Sequence, residues 1–103
     1  MGHWASFAVE KLAKGENATL TPHGSSMKGK VDDGDTVIVA PGAEKLEVGQ
    51  IVLVKVSGNV YLHLIKAVQG DRYQIGNNRG GINGWVGRNA IYGVAIAING
   101  RNL

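Results

Sequence analysis

Ser26 lies in the run Gly24-Ser25-Ser26-Met27-Lys28-Gly29. His63 follows 37 residues later (63 − 26), in Val60-Tyr61-Leu62-His63-Leu64-Ile65. A serine hydroxyl is a weak nucleophile until a neighbouring base takes its proton, and an imidazole does this near neutral pH. Glycines beside Ser26 permit a tight turn and close approach of a substrate main chain. An amide N–H at such a turn can hold the oxyanion that develops in acyl transfer. Gly24, Ser25 and Ser26 thus read as turn and oxyanion positions, with Ser26 as nucleophile and His63 as general base. The bland alternatives are a turn serine bonded to nearby backbone and a half-buried strand histidine.

Lys66 is the competing base. Strand alternation puts Tyr61, His63 and Ile65 on one face and Leu62, Leu64 and Lys66 on the other, so a strand that turns His63 toward Ser26 turns Lys66 away. Lys28 reads as a solvated loop charge. Asp33 and Asp35 read as turn formers, and Asp32 and Asp33 have no third acid spaced to complete a cation site. His3 and His23 are scattered and make no zinc pattern, so neither a metal nor another cofactor is expected. Arg72, Arg79 and Arg88 surround a glycine-rich stretch that includes Trp85. They read as a solvated loop with one anchoring aromatic, the alternative being a partner-binding rim.

Three ordered blocks carry a resemblance. Gly24 to Val39, with Ser26-Met27 followed by Gly34-Asp35-Thr36-Val37-Ile38-Val39, resembles the nucleophile box of the S24/S26 serine peptidases. These include the LexA-type repressors and the signal peptidases. Glu47 to Val54 resembles the family's Gly-Asp-Ile-Val-x-Val strand, with Gln50 in place of the acid, and Ile91 to Gly100 resembles its closing strand. The resemblance implies a mainly β fold of coiled antiparallel sheets. It also implies a serine endopeptidase acting on an extended peptide or protein substrate. LexA-like members carry lysine, followed by arginine, at the base position. The archaeal and eukaryotic-type signal peptidases carry His-Arg there; here the pair is His63-Leu64. The His-type relatives supply an acid from Gly-Asp-Asn, and this chain has Gly76-Asn77-Asn78. The resemblance therefore makes Asn77 the residue that orients His63, with an amide where a carboxylate is usual. That departure supports a second reading: a slow or non-catalytic relative serving as a dimerisation or binding module in a phage or bacterial regulatory protein.

These residues need a scaffold. A chain of 103 residues, 44% apolar, reads as one domain over 1–103 with a single core. Trp4, Phe7, Ala8 and Leu12 fall at helical spacing, Glu10 and Lys14 add an i,i+4 pair, and Gly15 is a stop. One short N-terminal helix follows, too isolated to be a helix-turn-helix DNA reader. Residues 18–22, 36–40, 50–56, 59–68, 72–75 and 90–98 are rich in β-formers, and turn residues separate them. Ser57-Gly58-Asn59 predicts a hairpin, and 76–84 predicts a glycine-rich loop. No cysteine is present. The net charge of +3 has no dense basic run, which argues against specific nucleic-acid binding. The longest apolar stretch, 90–98, is half a membrane span, and no leader-like segment follows Met1, so a cytoplasmic chain without a membrane anchor is expected.

Overall fold

The computed structural model describes residues 3–42 and 45–103. It is mainly β with one α-helix among the described residues. In chain order the elements are α1 (His3–Ala13), β1 (Ala18–Leu20), β2 (Val37–Ala40), β3 (Ile51–Val56), β4 (Asn59–Gln69), β5 (Arg72–Gly76), β6 (Ile82–Gly87), a 3-10 turn (Arg88–Ala90), β7 (Ile91–Ile98) and β8 (Arg101–Asn102). All strand pairs are antiparallel. The order across the sheet is β1-β2-β7-β3-β4-β5-β6, with β8 added to β7.

The strands bury both faces. On β3, Ile51 and Leu53 enter one core, while Val52, Val54 and Val56 enter the other. A strand covered on both sides becomes a continuous apolar run, as Ile51-Val52-Leu53-Val54 is. The first core is closed by α1 through Ala5, Ala8 and Leu12 and receives Leu20, Val37, Val39, Leu62 and Leu64. The second holds Val52, Val54, Ile65, Tyr73, Ile75 and Val86. Register shifts at Ile38/Val39, Leu53/Val54, Ile65/Ala67 and Ile75/Gly76 bend the strands, as bulges do. The sheet curls until β6 returns over β3, with Gly84 set close against Val56.

The helix is rotated relative to its sequence pattern. Ala5, Ala8 and Leu12 face inward, while Trp4 and Phe7 stay 45% and 71% exposed. Small residues bring α1 close to the sheet, and the two large rings are left at the rim. Close approach is also required at Gly93 on β7, where an added Cβ would lie 2.6 Å from the Ala40 carbonyl oxygen and 2.8 Å from Val39. Gly15 ends α1 with φ +81°, its N–H donating to Leu12 O. Lys11 pairs with Glu16 at 3.9 Å across that exposed end. The β3–β4 hairpin turns on Ser57 (φ 50°) and Gly58 (φ 86°), two left-handed residues of the kind a two-residue hairpin requires.

Two expectations change. The stretch 76–84 is not all loop, because β6 begins at Ile82. Its glycines hide the strand, and β6 is paired residue for residue with β5 from Arg72 to Ile75. The two-residue β8 also goes unsignalled, being too short for periodicity. No helix among the described residues is long and apolar enough to cross a membrane.

Candidate active site

Ser26 sits on an exposed turn pinned at both ends. Met27 and Val31, 4% and 3% exposed, anchor it in the first core. The Met27 carbonyl accepts from the N–H groups of Lys30 (2.9 Å) and Val31 (2.8 Å). Three carboxylates hold the flanks. Asp33 Oδ1 accepts from Gly24 N–H at 2.7 Å, Asp32 Oδ1 from Gly29 N–H at 3.1 Å, and Asp35 Oδ2 from Asp32 N–H at 2.8 Å. The Gly24 N–H, with His23 alongside, holds the Asp33 carboxyl below the usual carboxylate range. The Asp32 N–H and the Asn99 amide do the same for Asp35. These acids shape the turn, as their positions in the sequence suggest. Gly24 (φ 106°) and Gly29 (φ 98°) bracket it in conformations that side chains rarely adopt.

His63 lies on β4, 6% exposed. Ser26 Oγ and His63 Nε2 are 3.2 Å apart, and His63 Nδ1 is 2.7 Å from Asn83 Oδ1 on β6. An amide oxygen only accepts, so Nδ1 carries the proton and Nε2 presents its lone pair to the serine hydroxyl. This is the tautomer a general base needs. Tyr61, two residues back on the same face, stacks on the imidazole at 4.7 Å between centroids. Burial pushes the His63 pKa below the ordinary imidazole value, and the Asn83 contact opposes that only in part. The imidazole is therefore neutral at pH 7.

Asn77 does not orient His63. Its Oδ1 accepts from the N–H groups of Arg79 and Gly81, both at 2.8 Å, and closes the β5–β6 loop on itself. The contact with His63 Nδ1 is made by Asn83, six residues on, because the sheet curls β6 rather than the loop across the face that carries His63. Lys66 donates to the Asn77 carbonyl at 3.0 Å. The loop in turn grips the turn that carries Ser26. Asn78 N–H donates to Ser26 O at 2.9 Å, Asn78 Nδ2 to Lys28 O at 2.9 Å, and Arg79 Nη1 to Ser25 Oγ at 3.0 Å. Arg79, though exposed, is thus engaged with the turn. Asn83 escaped the sequence reading because Gly81 and Gly84 mask its strand. The one available signal was the β-forming set Ile82, Trp85 and Val86.

A cleft of about 280 Å³ opens over the pair, flanked by Trp4, Pro22 and His23 on one side and Val60, Tyr61 and Leu62 on the other. Its β4 wall has an open edge. β3 covers one side of Asn59–Leu64, but β5 joins the other side only from Leu64 onward. Ile65 bonds through both N–H and C=O to the Gly49–Gln50 turn on the β3 side. Period-two alternation therefore points the polar main-chain groups of Leu62 and Val60 the opposite way, along the open edge. Among the described residues, no cluster of three or more His, Cys, Asp or Glu could hold a metal ion; the side chain of His3 lies outside them.

A curled antiparallel sheet that presents a turn serine to a strand imidazole matches the LexA-like architecture. A family model described as Peptidase S24-like matches residues 5–79, and the chain belongs to that family. The matched segment includes Ser26 and His63 and ends before Asn83. No curated protein matches the chain.

Proposed function

We propose that this S24-like domain is a serine endopeptidase acting on extended peptides. The observation that carries the reading is the chain of contacts Ser26 Oγ–His63 Nε2 and His63 Nδ1–Asn83 Oδ1. A substrate strand would pair with the open edge at Val60 and Leu62, main-chain bonds giving affinity. Ser26 Oγ attacks the scissile carbonyl as its proton passes to Nε2. The tetrahedral oxyanion is held by the Ser26 N–H, which no main-chain acceptor uses among the described residues. The imidazolium then gives its proton to the departing amine, leaving an acyl-enzyme on Oγ. Neutral His63 next deprotonates a water, whose attack releases the acid and returns the proton to Ser26.

The rival is a binding module without turnover, and one observation favours it: Asn83 offers His63 an amide dipole in place of a charge. An amide fixes the tautomer but stabilises the imidazolium less than a carboxylate does. A fluorophosphonate probe separates the two readings. Labelling of Ser26 that is lost in His63→Ala supports the peptidase. No labelling at any pH from 5 to 9 supports the module. Reactivity that survives His63→Ala and vanishes in Lys66→Ala would replace the assigned base.

A further inference from the structure

Tyr61 and His63 share one face of β4, and their rings lean together. The centroids lie 4.7 Å apart, with 22° between the planes. Each ring nitrogen of His63 has a polar partner, Ser26 Oγ at Nε2 and Asn83 Oδ1 at Nδ1, while the phenol ring covers a face. Neither polar partner carries a charge. Tyr61 is backed by the second core, which holds its ring in place. From β3 the cross-strand neighbours of Tyr61 and His63 are the apolar Val54 and Val52. The other titratable side chains that share the cleft are His23 and Asp32. Among the described residues, the histidine–carboxylate pair joins His23 to Asp33, and none involves His63.

We infer that Tyr61 is a positioning residue for the general base, and that its π face stabilises the imidazolium that His63 becomes when it takes the Ser26 proton. The inference rests on the peptidase reading above. An aromatic face carries the negative part of the ring quadrupole and attracts a cation within about 6 Å of its centroid. The imidazole sits inside that distance. Burial makes a bare charge costly at His63, and a desolvated cation gains more from a ring face than an exposed one does. The transfer moves one proton from Oγ to Nε2, and the positive charge spreads over the ring that Tyr61 overlies. In a triad with an acid, a carboxylate meets that charge at Nδ1. Here Asn83 fixes the tautomer and Tyr61 supplies the attraction, so two neutral side chains divide the work of one carboxylate.

The test reads the charge on His63 directly. Its ring signals are titrated by NMR in the wild type, Tyr61→Leu, Tyr61→Phe and Tyr61→Phe carrying 3,4,5-trifluoro substitution, with His63→Gln assigning the signal. Loss of the π face in Tyr61→Leu should lower the His63 midpoint by about 0.5–1 pH unit. Tyr61→Phe should keep it near the wild-type value. The trifluoro ring keeps the shape and withdraws electron density from its face, so it should lower the midpoint even where the leucine variant fails to fold. Fluorophosphonate labelling of Ser26 at pH 8, where His63 is neutral throughout, should slow about three- to tenfold in the leucine and trifluoro proteins, the same shift read as a rate. A ring that merely excludes water predicts the opposite sign, because leucine admits water and the midpoint rises. That result, or an unchanged midpoint, overturns the inference and leaves the peptidase reading standing. A lowered midpoint with unchanged labelling overturns it as well. Absence of labelling in every protein, wild type included, overturns the peptidase reading and the role of Tyr61 with it.

Discussion

At the residue scale the site turns on what faces His63 Nδ1. Asn83 is a neutral acceptor, so it sets the tautomer without charge. Asn83→Asp places a carboxylate there, which favours the imidazolium and should raise both peptidase turnover and the midpoint of the pH–rate profile. Asn83→Leu removes the acceptor and should lower kcat/KM by about 10²-fold, within the range general-base catalysis supplies. Steady-state rates on a generic peptide check both. A second outcome concerns stability. The folded-state pKa of His63 lies below its ordinary value of 6.5 because burial disfavours the charged form. Below pH 6.5 the unfolded chain binds more protons at this site than the folded one. Stability should therefore be full above that pH and should fall as pH drops toward the depressed pKa. The Asp33 and Asp35 carboxyls act lower, their contribution being lost only as pH falls below about 3.8. Denaturant midpoints between pH 5 and 8 should show the slope, and His63→Gln should flatten it.

At the element scale the β5–β6 loop is a brace for the Ser26 turn. Asn78 fastens the main chain of Ser26, and Arg79 fastens Ser25. Asn78→Ala removes the side-chain bond to Lys28 but keeps the main-chain bond to Ser26. Arg79→Ala removes the tie to Ser25. The double variant should slow labelling of Ser26 about tenfold and, since the two surface bonds contribute about 0.5–1.5 kcal/mol each, should lower the melting temperature by several degrees. The difference between Asn77 and Asn83 shows what a sequence conveys and what it withholds. Runs such as Ile51–Val56 and Asn59–Gln69 announce themselves through β-formers, and Ser57-Gly58 announces its turn. Ser26 and His63 are legible because one lies in a glycine-flanked turn and the other within the long β4 run. The orienting residue is not, because its position depends on where β6 crosses after four register shifts, a property of accumulated curvature with no local composition. The helix shows a related limit. Its pattern marks Trp4 and Phe7 as apolar, but only the tight fit of Ala5 and Ala8 against the sheet decides which side turns inward.

At the scale of the whole molecule two cores share one sheet, and β7 is where that arrangement is tightest. Gly93 fits between Ala40, Val39 and Leu12 with no room for a methyl group. Gly93→Ala should destabilise by about 1–3 kcal/mol through overpacking, measured by urea unfolding with the m-value unchanged.

The place of β7 in the sheet has one more consequence. It lies between β2 and β3 and, among the described residues, is the only strand that pairs with both. The segment that precedes it on one side carries Ser26; the segment on the other carries His63 and Asn83. As the polypeptide leaves the ribosome, Ser26 and His63 are therefore both made before the strand that joins β2 to β3. The 3.2 Å approach of the hydroxyl to the imidazole is thus made between two chain segments that β7, following both in the sequence, links into one sheet.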